Sequence, residues 1–133
     1  MTYHLQIVTP DGQRFDGQAV RLIIPTIDGQ VGILARHINY VTALGMGPAK
    51  VITEDGERTA ACIGGMLAVT NGDVKVVATT FEWADEIDVE RAHRSIARAE
   101  GMLADPNKDA HTIQYANARI KRAKVRLSVA EKK

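Results

Sequence analysis

Near residue 80 this sequence changes its period, and that change constrains the fold more than any other feature of its 133 residues. Before it, β-branched and apolar runs are punctuated by turn signals at Pro10-Asp11-Gly12, Asp28-Gly29, Asp55-Gly56 and Asn71-Gly72. Asx-Gly pairs favour the positive φ angles that tight hairpins require. The clearest runs between them are residues 5–8, 20–24, 50–53, 66–70 and 74–78, each of strand length and composition. Many short strands with turns at this density predict an antiparallel β-sandwich or flattened barrel over residues 1–84. Gly45-Met46-Gly47-Pro48 and Gly64-Gly65 are expected as breaks or bulges within it.

Beyond residue 84 the apolar positions step by three and four. They fall at Val89, Ala92, Ile96, Ala99 and Leu103, then at Ile113, Ala116, Ile120, Ala123, Leu127 and Ala130. Both sets are narrow helical seams of the kind that pack helix on helix. Pro106, in the stretch between them, stops the first helix. Residues 85–133 are therefore expected to form an antiparallel two-helix hairpin. Its seam is rich in alanine, buries little area, and should be weakly held.

The charge is distributed as unevenly as the period. Residues 1–87 carry 6 Lys+Arg against 10 Asp+Glu, a net of −4, whereas residues 88–133 carry 11 against 6, a net of +5. Such an asymmetry points to an anionic partner for the basic segment. The residues just before the seam positions define one flank of each helix, about 100° round from the seam. That flank holds Asp88, Arg91, Ser95, Arg98 and Met102 on the first helix, and Thr112, Tyr115, Arg119, Arg122 and Arg126 on the second. In an antiparallel pair the two flanks share a side, so Arg91, Arg98, Arg119, Arg122 and Arg126 should converge with few carboxylates among them. Arg94 falls off this flank, at i, i+4 from Glu90. An exposed row of charge can also be no more than a solvated face, and Asp88 is equally a helix N-cap with Ile87 and Ala92 as its apolar staple. A guanidinium cluster free of carboxylates is relieved by an anion, and the planar fork of arginine suits phosphate oxygens.

Other chemistries find little support. There is neither a phosphate-binding lysine loop nor a dinucleotide-type glycine pattern opening a helix. His4, His37, His93 and His111 lack metal-ligand spacing. The single cysteine, Cys62, lies among Ala60, Ala61 and Ile63 as a small core residue and fits a reducing cytoplasm. Aromatic residues make up 5% of the chain and do not interleave the arginines, which disfavours a nucleic-acid-stacking surface. No run reaches the roughly 18 apolar residues of a membrane span.

With both halves in view the chain resembles the epsilon subunit of bacterial F-type ATP synthases over essentially its whole length. In the first part the resemblance rests on Val8-Thr9-Pro10-Asp11-Gly12, on the stretch from Gly29 to His37, and on Gly64-Gly65-Met66-Leu67-Ala68-Val69. In the second it rests on Ile87-Asp88-Val89-Glu90-Arg91-Ala92 and on the stretch from Arg122 to Glu131. The resemblance implies a non-catalytic rotor subunit of the central stalk, bound to the gamma subunit and seated on the ring of c subunits at the cytoplasmic face of the plasma membrane. It implies a mobile hairpin that leaves the motor free when folded down and blocks ATP hydrolysis when extended into the alpha/beta catalytic head. In bacillus members the folded-down hairpin binds ATP, with or without Mg, through an Ile/Leu-Asp-x-x-Arg-Ala motif. Ile87, Asp88, Arg91 and Ala92 match that motif, Arg98, Arg122 and Arg126 match its further basic contacts, and Glu82 matches an acidic one. Arg119 joins this set from the flank geometry. Gly29, Gln30, Gly32, Ile33 and His37 match the ring-facing loop, although the family often has an acid at Gln30 and Pro-Gly at Ala35-Arg36. A stalk subunit without nucleotide, its arginines gripping acidic surfaces of the head, is the alternative reading.

Overall fold

A computed structural model describes residues 1–131, and the last two positions of the expected hairpin segment, 132 and 133, lie outside the described residues. Eight strands precede two helices. They are β1 (Tyr3–Thr9), β2 (Gly12–Ala19), β3 (Arg21–Thr26), β4 (Gly29–Leu34), β5 (Tyr40–Ala43), β6 (Met46–Thr53), β7 (Gly56–Thr70) and β8 (Asp73–Trp83). A single 3-10 turn, Ala84–Glu86, leads into α1 (Val89–Ala104) and α2 (Ala110–Ala130). The strand order is β2-β1-β8-β7-β6-β3-β4, with β5 also on β7. All pairs are antiparallel except β1 with β8, which run parallel from Leu5 opposite Val74 to Val8 opposite Val77.

Each Asx-Gly signal closes a hairpin. Asn71 and Gly72 have φ of 50° and 89°, the left-handed pair that a two-residue turn demands. The other three share a threonine that the dipeptides alone do not reveal. Thr9, Thr26 and Thr53 each donate a hydroxyl hydrogen bond to the carbonyl of Gly12, Gly29 and Gly56, and accept one from the amide of Asp11, Asp28 and Asp55. The recurrent Thr-x-Asp-Gly thus satisfies its own turn polar groups.

Period-two alternation sends Tyr3, Leu5, Ile7, Leu22, Ile24, Val74 and Val76 into one core with Ile33, Leu67 and Phe81. Strand β7 is the spine. Its first half pairs with β6 and its second half with β5, while β8 pairs with it from Ala60 to Thr70. The change of partner falls at Gly64-Gly65, both with positive φ. A Cβ on Gly65 would lie 2.1 Å from the carbonyl oxygen of Val77, so the corner needs glycine for space as well as conformation. The expected break at residues 45–48 is narrower than its composition suggests. Met46, Gly47 and Pro48 belong to β6, opposite Ile63, Cys62 and Ala61, whereas Gly45 lies outside it, where a Cβ would come 2.6 Å from the Thr26 carbonyl oxygen. Cys62 is fully buried, and burial pushes its thiol up to about 12.

The helices form an antiparallel hairpin folded onto the sandwich. Asp88 caps α1 by accepting from the Arg91 amide at 3.0 Å, and Asp109 caps α2 by accepting from the Thr112 amide at 2.7 Å. The alanines carry the seam: Ala92, Ala99, Ala116, Ala123 and Ala130 are buried, whereas Val89 and Ile113 at its ends are exposed. It is α2 that packs on β6, β7 and the 3-10 turn. The junction is a small apolar cluster of Ala61, Ala84, Ile87, Val129 and Ala130, supported by Val125.

Candidate functional site

A cleft of about 860 Å³ opens between α1, α2 and the end of β8. Arg91, Arg98, Arg119, Arg122 and Arg126 all line it, together with Glu82, Asp88 and Ala92. The antiparallel packing brings these residues together across the hairpin, as the flank geometry requires.

Three features differ from the sequence reading. Arg94 also lines the cleft, although it lies 3.8 Å from Glu90 one turn earlier. Its long side chain reaches round α1 to both places. Glu82 and Asp88, both expected at the site, are joined by a third acid, Glu86, at its sandwich end. Glu82 comes from β8 and Glu86 from the 3-10 turn, outside the helical periodicity that defined the flank. Finally, Ile87 does not line the cleft; it is 8% exposed and packs in the junction cluster. Between the 3-10 turn and α1 the chain is extended, which turns the Ile87 side chain inward as an anchor for the hairpin.

The arginines are held in different ways. Arg126 Nε donates to Glu82 Oε1 at 2.5 Å, joining α2 to the sandwich. Arg14, the extra residue of a bulge in β2, reaches Glu86 at 3.4 Å from the far side. Arg119 instead rests on neutral groups, donating to Ser95 Oγ at 2.7 Å and to the Tyr115 hydroxyl at 3.3 Å. Arg91, Arg98 and Arg122 have no carboxylate partner among the described residues. Six arginines against three carboxylates leave a surplus of three positive charges in a recess walled by both helices. Such a surplus of guanidinium groups suits the charge-assisted hydrogen bonds that phosphate and carboxylate anions accept. Among the described residues no group of three or more His, Cys, Asp or Glu could hold a metal ion. Trp83, next to Glu82 in the chain, does not line the cleft. It is 4% exposed, edge-on to Phe81 at 5.2 Å, with the Arg58 guanidinium over its ring.

The second set of expected contact residues lies on the β3–β4 hairpin and the turn after it. Gly29, Gln30 and Gly32 are exposed, and Gln30 Nε2 donates to the Pro48 carbonyl at 3.4 Å. Ile33 is not available for a partner, since it is fully buried and accepts the Tyr3 hydroxyl on its carbonyl at 2.8 Å. Strand alternation places it in the core, from which it fixes the hairpin's position. His37 is half-buried, with Nδ1 2.8 Å from the Ile38 carbonyl. Arg36 adopts φ of +64°, so the conformation natural to glycine is kept here by an arginine. On the surface of the sandwich, Ile27, Leu34, Ile38, Val41 and Met66 are exposed. The register places Met66 opposite both Ala43 and Val77, forming a continuous apolar strip on the outer face.

Comparison with known proteins agrees with both halves. Residues 2–84 match the beta-sandwich domain of the ATP synthase delta/epsilon chain, and residues 85–131 match its long alpha-helix domain. The ATP synthase epsilon chain of an Exiguobacterium species is 39% identical over 133 residues, covering 99% of this chain and 98% of that one. The ATP synthase epsilon chain of Staphylococcus aureus is 40% identical over 135 residues, covering 99% and 98%. Among solved structures, a chain of the Euglena gracilis mitochondrial ATP synthase superposes with a TM-score of 0.67 at 22% identity, covering 96% of this chain and 76% of that one. At that identity the superposition speaks for the fold alone.

Proposed function

Because the chain belongs to the delta/epsilon family of ATP synthases, as an epsilon chain and non-catalytic component of the central stalk, we propose that its hairpin senses ATP and governs hydrolysis by the complete enzyme. In this reading the folded-down hairpin holds one ATP in the arginine cleft, with or without Mg. The extended hairpin enters the alpha/beta head and inhibits hydrolysis. The observation that carries it is the convergence of six arginines from two helices with Glu82 from the sandwich. Extending the hairpin separates Glu82 from Arg126 and opens one wall of the cleft, so a ligand bridging them favours the folded-down state. ATP then acts by population shift, through its differential affinity for the two states. At a hundredfold excess over its dissociation constant it adds about 2.7 kcal/mol to the state it binds.

The sandwich serves as the fixed part. Its outer apolar strip of Val41, Met66 and Val77 suits burial against a stalk partner such as gamma, and the exposed β3–β4 hairpin suits the c-subunit ring. Among the described residues no helix is long and apolar enough to cross a membrane, so attachment through the ring at the cytoplasmic face is the proposed arrangement. When the hairpin is extended, the same arginines are free to grip acidic surfaces of the catalytic head. The test is ATP hydrolysis by the complete enzyme carrying either the full chain or one ending at Asp85. The truncated form should hydrolyse faster at low ATP and lose the dependence on added ATP; equal rates at all ATP concentrations would refute the regulatory role.

A further inference from the structure

Charge is graded along the cleft, and the gradient sets which end can take phosphate. Its three carboxylates, Glu82, Glu86 and Asp88, all sit at the sandwich end. The loop end is lined by Ser95, Arg98, Tyr115 and Arg119 and contains no acid. A nucleotide entering this field turns its base, with amino donors, toward the carboxylates and its phosphates toward the loop. Arg91 and Arg98 lie seven residues apart, about 10 Å along α1, so their long side chains approach a chain of phosphates from its two ends.

At the loop end, Arg119 differs from the other cleft cations. Arg126 and Arg94 spend part of their charge on Glu82 and Glu90. Arg119 is fixed across the hairpin by Ser95 Oγ on α1 and one turn back by the Tyr115 hydroxyl. Two neutral acceptors orient the guanidinium without neutralising it, and its cost of ordering is met before any ligand arrives.

Resting on the nucleotide reading above, we infer that Ser95, Arg119 and Tyr115, with Arg98 opposite, form a terminal-phosphate subsite that counts phosphates and so separates nucleoside triphosphates from diphosphates. Arg119 is the contact residue; Ser95 and Tyr115 are positioning residues. A diphosphate occupies the Arg91 and Arg122 positions and leaves this subsite empty.

The experiment is calorimetric titration of the full chain with ATP, GTP, ADP, inorganic tripolyphosphate and pyrophosphate. The variants are Arg119→Ala, Ser95→Ala and Tyr115→Phe, with Ser95→Thr as the variant that keeps the hydroxyl. Arg119→Ala should lower affinity for ATP and tripolyphosphate by about tenfold or more, the scale of one charge-assisted hydrogen bond. It should change ADP and pyrophosphate by less than about threefold, on the scale of screened surface electrostatics. Ser95→Ala and Tyr115→Phe should narrow the ATP-to-ADP ratio in part, and Ser95→Thr should retain it. An equal loss for ATP and ADP, or none in Arg119→Ala, overturns the inference. Preference for tripolyphosphate over pyrophosphate without preference for ATP over GTP would overturn the nucleotide reading and leave the subsite standing.

Discussion

The hairpin is held to the sandwich by very little, and Val129→Ala measures how little. Val129 is fully buried in the junction cluster, against Ala61, Ala84, Ile87 and Ala130. The substitution removes two methyl groups, worth about 1.6 kcal/mol of transfer free energy at 0.8 kcal/mol each. A small residual cavity brings the cost to about 2 kcal/mol. No core strand contributes to this loss except through Ala61, so the cost falls on docking and not on the sandwich. At 1.4 kcal/mol per tenfold, the ratio of docked to undocked hairpin falls by about 30-fold. Hydrogen exchange read by mass spectrometry on the native chain reports this directly. Peptides from the C-terminal half of α2 should exchange about 30-fold faster in the variant, while those from β7 and β8 keep their protection. Equal acceleration in β7 and β8 would refute the reasoning, because hairpin and sandwich would then open as one cooperative unit.

Three further outcomes are expected. Arg126→Ala and Glu82→Gln each remove the half-buried pair that joins α2 to β8, costing about 1 kcal/mol of docking, and Arg126→Ala should also weaken ATP binding at least tenfold by titration; unchanged affinity would place the ligand elsewhere. The Asp109 carboxyl lies below its usual range, chiefly through the Thr112 backbone hydrogen bond, so its contribution is present at neutral pH and lost as pH falls through that lowered value: amide shifts of the first turn of α2 should follow this titration, and Asp109→Asn should abolish it. Gly65→Ala meets both a φ of +125° and the Val77 carbonyl oxygen, and should cost about 3 kcal/mol or more in chemical denaturation, whereas Gly101→Ala, with open space around it on α1, should stabilise slightly.

Local physics explains what could be read before folding. The hairpin turns were legible because Asn71-Gly72 and the three Asp-Gly pairs demand a conformation few other residues accept. The five convergent arginines were legible because helical period and antiparallel packing fix a flank without tertiary detail. Strands β2 and β4 were not, since Gly12–Ala19 and Gly29–Leu34 are polar or glycine-bearing and gain their pairing from neighbours. Glu86 and Arg94 escaped for a related reason. One reaches the cleft from a 3-10 turn and the other by the length of its side chain, and neither obeys the period of the seam. The inward turn of Ile87 and Ile33 is likewise a property of tertiary position, since an apolar residue beside a motif reads the same whether it faces ligand, partner or core.

Whether the cleft holds ATP is decided by calorimetric titration of the full chain with ATP and GTP, with and without magnesium. Saturable one-to-one binding that prefers ATP and is lost in Arg91→Ala and Arg126→Ala is the predicted result. Absence of saturable heat, or binding indifferent to both substitutions, would contradict it and leave the arginines to serve contacts with the catalytic head.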